Sequence, residues 1–164
     1  MATDILNHFA VLKKDSEYLN LYALVDGLAY EAHTSERIVA GFTHRSLFEG
    51  TPDAPLAHAG AWVVDVAKAP NQIPSLGALE QALPAVAWLI TAMDLDEIVQ
   101  FLKLQQDMQT ADGHVALLRI ADPRVMVKLN QVMTIEQKQS FFGLIEEWHL
   151  FHDGKRVRLG GINA

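Results

Sequence analysis

The run AVAWLITA, Ala85 to Ala92, constrains the fold of this chain more than any other stretch. It carries no charge, follows Pro84 and stops short of Asp94, so it is a short apolar segment with defined ends. Even the extended run LPAVAWLITAM is far short of a bilayer span and contains a proline. Read as a strand, it is apolar at both odd and even positions, and successive side chains of a strand point to opposite faces. Such a strand must be buried on both sides, so the sheet that holds it needs cover on both faces.

The flanking sequence supplies both further strands and the cover. Ile5, Leu6, Phe9 and Leu12 form a helical stripe, with Thr3 or Asp4 as its cap. Leu21–Asp26 and Ala61–Val66 read as strands, and Thr34–Phe42 as a short helix. The segment between Pro74 and Pro84 carries Leu76, Leu79 and Leu83 on one helical face. Asp94 with Glu97, and Thr134 with Gln137, are capping-box pairs that open helices, the second of which stops at Gly143. His114–Ala121 reads as a fourth strand, and LIEEWHLF, HDG and KRVRL as a terminal hairpin. Strands alternate with helices, so the expected fold class is α/β: one domain, a mixed β-sheet covered by helices, with a C-terminal hairpin. Residues 1–20 form a helix packed on the domain of residues 21–164.

At 164 residues with half of them apolar, the chain suffices for one real core. Its net charge of −7 leaves no basic stripe to neutralise phosphates, which argues against nucleic acid as partner. Cysteine is absent, so disulfides and thiolate chemistry are excluded. The N-terminus has an acid before its apolar part and lysines after it, the reverse of a secretory signal. A cytoplasmic protein with no membrane partner is expected.

The stretch LLRIADPRVM, Leu117–Met126, raises the central functional question, because an apolar run ends in two arginines around an acid. Asp122 stands where a helix N-cap belongs and Pro123 where the first helical residue belongs. Arg119 shares a strand face with Val115 and Leu117, so it either escapes at the core edge or finds a carboxylate. Asp122, Glu146, Glu147 and Asp65 are the candidates, and the alternative is a surface anchor for a partner.

Motifs for chemistry are scarce. No glycine-rich phosphate loop follows a strand and no nucleophile elbow occurs. His149 and His152 lie three apart on a strand, hence on opposite faces, and with Asp153 read as solvated residues before a metal site. His44, Ser46 and Asp65 have the residue types of a nucleophile set without orienting spacing. No catalytic, cofactor or metal residue is assigned. Trp62, Trp88 and Trp148 fall in strands and default to core packing. Leu47 and Phe48 lie in a turn-rich loop and either cover the sheet edge or form an exposed partner surface.

Three blocks, SLFEGTPDAPLAHAGAWVVDV, LRIADPRVM and FFGLIEEW, together with YALVDG and LDEIVQFLKL, resemble the adaptor or effector-chaperone family of bacterial type VI secretion, first catalogued as a domain of unknown function. The resemblance spans Leu21 to Asp153. It implies a cytoplasmic, non-enzymatic protein of a Gram-negative bacterium that needs no cofactor. Its partners would be a secreted effector, or toxin, and the valine-glycine repeat spike protein onto which the effector is loaded. Ile120 and Ala121 stand where the family often has an aromatic pair. Against relatives that continue into a C-terminal lobe, the resemblance implies a minimal version of the family, with a second protein as a candidate source of the missing surface. Partner-binding or scaffold roles then fall to Leu47, Phe48, Glu49, Arg119, Asp122, Arg124 and Trp148, with Arg119 or Arg124 held by Glu49 or Asp53. An exposed apolar patch is expected at Leu47, Phe48 and the N-terminal helix face. The alternatives are an immunity-type protein that blocks a toxin and a small-molecule-binding domain.

Overall fold

A computed structural model of the chain describes residues 2–160; Met1 and residues 161–164, which the expected domain includes, lie outside them. The apolar run Ala85–Ala92 becomes β4 (Val86–Thr91), buried along its whole length. It pairs on one side with β1 (Asn20–Asp26) and on the other with β7 (Ile145–His152). β1 pairs onward with β3 (Ala61–Asp65), β3 with β2 (His44–Ser46), and β7 with β8 (Lys155–Leu159) in the terminal hairpin. The sheet order is β2-β3-β1-β4-β7-β8. Every pairing is antiparallel, so the sheet is antiparallel throughout rather than mixed, within the expected α/β class.

The period-two alternation sorts the strands' side chains into two cores. Leu21, Ala23, Val25, Trp62, Val64, Trp88 and Ile90 face one way. They are covered by α1 (Thr3–Asp15), α2 (Gly27–Thr34) and α3 (Ile73–Ala82). Tyr22, Leu24, Val63, Ala87, Leu89, Trp148 and Leu150 face the other way. They lie under α4 (Leu95–Gln106), α5 (Pro123–Val132) and α6 (Ile135–Phe142). Both capping boxes form, and Gly143 ends α6 with φ +51°.

Three local expectations are corrected. The helix expected at Thr34–Phe42 lies one step earlier, because Asp26 caps α2 directly after β1 and Ser35, at φ 64°, closes it. α1 has Ala2 at its N-cap and no side-chain cap; Asp4 is free to pair with Arg156 instead. The fourth strand shrinks to β6 (Val115–Leu117), which pairs with β5 (Asp107–Gln109) in a ribbon outside the main sheet. Leu118 N–H donates to the Gln106 carbonyl and Ile120 N–H to the Leu118 carbonyl, so the chain turns before Arg119 can alternate as a strand residue.

Candidate functional site

The sequence blocks converge at the end of β1. Gly27 is packed so tightly that a Cβ there would lie 2.4 Å from the His58 carbonyl oxygen and 2.9 Å from that of Gly60. Its N–H donates to the Gly60 carbonyl at 2.8 Å, laying the loop of residues 47–60 across the β1–α2 turn. On that loop Leu47 and Phe48 are buried, and the Phe48 ring fills the space a Cβ on Gly60 would need. They therefore cover the sheet edge and supply no exposed patch. Gln106 and Lys103 of α4 donate to the Leu47 and Glu49 carbonyls at 3.1 and 2.5 Å, fastening the loop to the second helical layer.

The Asp-Pro-Arg joint closes the same corner. Asp26 caps α2 through one carboxylate oxygen, which accepts from Ala29 N–H at 3.0 Å. Its other oxygen accepts from Arg119 Nη2 at 2.8 Å. Asp26, which the sequence reading did not propose, is thus the carboxylate that Arg119 finds. Arg124 does not reach Glu49 or Asp53; it doubles back on Asp122 through Nε and Nη2 at 3.1 and 2.8 Å. Asp122 also caps α5, accepting Arg124 N–H at 2.9 Å. Burial pushes the Asp122 carboxyl up, but the Arg124 hydrogen bonds and the charges of Arg124 and Arg119 outweigh it and hold it below the ordinary value. Glu49 pairs with Arg45, which also reaches Asp96. Phe48, Gly60, Leu118 and Arg119 line a shared cleft of about 180 Å³.

Beyond the joint lies a second, larger concavity. Leu104, Met108, Leu118, Leu129, Met133 and Phe141 line a groove of about 330 Å³ between α4, the β5–β6 ribbon, α5 and α6. Leu104 is 72% exposed, and Val132 and Ile135, on either side of the lining residue Met133 in sequence, are 76% and 62% exposed. Leu118 belongs to both concavities, so β6 and the joint form the ridge between them. Trp148 lies beneath, fully buried, with the Phe142 ring edge-on at 5.6 Å and Phe141 at 6.3 Å. It is a core residue, as its strand position implied, and offers no contact surface. The N-terminal helix face is likewise spent on packing, through Ile5, Leu6, Phe9 and Leu12.

On the opposite face of the sheet a polar cluster joins α1, α3 and the terminal hairpin. Glu80 of α3 accepts from Trp88 Nε1 at 2.7 Å and from Arg156 at 2.6 and 2.8 Å, and Arg156 also grips Asp4. Burial opposes the charge on Arg156, but Glu80 and Asp4 overcome it and raise its pKa. Beside it, His8 and His149 both contact Glu147 Oε2, at 2.7 and 2.5 Å. Burial holds His149 below the ordinary histidine value against the pull of Glu147. No local signal could have found this cluster: Glu80 and Arg156 are 76 residues apart, and His8 and Glu147 are 139 apart. His152 pairs with Asp153 at 3.4 Å, away from His149.

No helix of the described residues is long and apolar enough to cross a membrane. Neither the curated proteins nor the solved structures include a match to the chain. One family matches, described as Domain of unknown function (DUF4123), over residues 21–140.

Proposed function

The chain belongs to the DUF4123 family, and on that premise we propose that it is a type VI secretion adaptor, which holds a secreted effector in the cytoplasm and presents it to the valine-glycine repeat spike protein. The motif blocks that resemble this family build the corner of Gly27, Phe48, Asp26 and Arg119. Their tight packing suits a scaffold. The contact surface is then the neighbouring groove.

The groove carries the reading. Six of its ten lining residues are apolar, with Gln105, Asp107, Gln137 and Ser140 between them; its rim residue Leu104 is 72% exposed, and its floor is continuous with the core through Phe141 and Trp148. Desolvating such a surface favours association with an apolar segment of another protein. A stable complex requires about 1,200–2,000 Å² of buried surface in total, so the groove would be the centre of a wider contact.

Co-expression with the protein encoded beside it and with the nearby spike protein, followed by size-exclusion chromatography, tests this. The chain is expected to co-elute with its neighbour and to be required for the neighbour's recruitment to the spike. A Leu104→Glu, Met108→Glu double variant, altered only at exposed positions, should keep its melting temperature and lose the complex. A wild-type chain that elutes alone, or a double variant that still binds its neighbour, would sink the proposal. Capture of the neighbour without transfer to the spike would point to toxin inhibition instead.

A further inference from the structure

The cluster at the hairpin has the composition of a metal site. Glu147 and His149 are two residues apart on β7 and share the sheet face on which α1 lies. His8 comes down on them from α1, with the two imidazoles edge-on at 5.3 Å between centroids. Both Nε2 atoms address one carboxylate oxygen, Oε2, while Arg158 lies 3.5 Å from the other. One donor atom from each of His8, Glu147 and His149 lies within 4.8 Å of the others. Two imidazoles and a carboxylate are a donor set of zinc and its neighbours in the first transition row.

The geometry suits a cation in further respects. As hydrogen bonds, the two contacts require both imidazoles to carry their proton on Nε2 and to crowd one oxygen. With a cation between them, the three groups would instead present lone pairs to a common centre. Tetrahedral zinc, with bonds of about 2.0–2.2 Å, sets its donors about 3.3 Å apart, so the contacts need to open by less than about 1 Å. The Glu147–His149 contact has to open by side-chain rotation on β7, where the two are 13% and 9% exposed; the His8 contact opens by movement of a side chain that is 40% exposed. The same exposure leaves a coordination position open to water.

We propose that His8, Glu147 and His149 bind a divalent transition-metal ion of the zinc class that staples the N-terminal helix to β7. All three residues lie outside the family-matched residues 21–140. It stands independently of the adaptor role.

Tag-free protein, stripped with a chelator and dialysed, would be titrated with zinc sulfate by calorimetry and followed by thermal unfolding. One equivalent is expected to bind and to raise the melting temperature, because an ion held only by the folded state stabilises it. Loss of an outer-shell partner alone commonly costs about 10–100-fold in metal affinity, so His8→Gln and Glu147→Gln should each weaken binding by at least about tenfold. His8→Gln changes a half-exposed side chain, so the metal-free protein should still fold. Cobalt(II) should give the visible absorption of a tetrahedral site in the wild type and lose it in His8→Gln. Absence of zinc binding by the wild type, or unchanged affinity in both variants, would overturn the assignment.

Discussion

Two arginines meet carboxylates at different depths, and depth sets what each pair is worth. The Arg119 side chain is 58% exposed against the buried Asp26, whereas the Arg156 side chain is 18% exposed against Glu80 at 1%. Water screens the first pair, and Asp26 keeps its capping bond without it, so Arg119→Ala should cost only about 1 kcal/mol in urea unfolding. Glu80→Ala leaves a mostly buried guanidinium with Asp4 alone and orphans Trp88 Nε1, which should cost about 3–5 kcal/mol. Equal losses from the two substitutions would contradict this ranking. Arg119 could be singled out in the sequence because its own neighbours are apolar; Glu80 could not, because its cause lies in a hairpin far along the chain. Titration follows the same logic. Burial keeps the His44 pKa below its ordinary value. Its contribution is therefore complete above the unfolded value of about 6.5 and is lost as pH falls through that value toward the folded one. Arg156 hydrogen bonding lowers Asp4, and Asp122 is also lowered, so their contributions persist to lower pH and disappear below about pH 4. Urea midpoints measured from pH 7 downward should decline in two stages, the first of them shallower in His44→Gln.

At the scale of elements, caps and close approaches decide where segments begin and how they meet. The capping boxes at Asp94 and Thr134 and the Asp122-Pro123 start of α5 could be read directly, since each is a contact within three or four residues. Thr34–Phe42 misled because Gly27 looks like a strand terminator; it is the first residue of α2 and the seat of the 47–60 loop. His114–Ala121 misled for a different reason. Val115 and Leu117 are apolar and exposed, so hydrophobicity there signals a surface ribbon and not a core strand. The groove was consequently invisible in the sequence, being assembled from α4, β5, α5 and α6. Gly27→Ala should destabilise by about 3 kcal/mol or more, because the new methyl meets two backbone carbonyls that the sheet and loop hold in place. Gly60→Ala should cost less, since it meets a side-chain ring in Phe48 and its extended backbone accommodates alanine. Differential scanning calorimetry of the two variants separates the cases.

For the molecule as a whole, the family-matched span and the folding unit are different objects. Residues 21–140 leave out β7, β8 and α1, yet β7 is interior to the sheet and brings Trp148 and Leu150 into one core. A fragment of residues 21–140 should therefore lack a cooperative thermal transition and bind a hydrophobic dye, whereas residues 2–160 should melt in one step. Double cover of β4 was legible from its composition; that its outer neighbour comes from the last part of the described chain was not, because strand order leaves no mark on local pattern. This strand order also has a consequence during translation. Roughly fifty residues separate the end of β4 from the start of β7. At about 5–20 residues per second, the ribosome takes about 3–10 s to make them. Through that interval the most apolar strand of the nascent chain presents an unpaired backbone edge, the kind of edge that invites pairing with other chains.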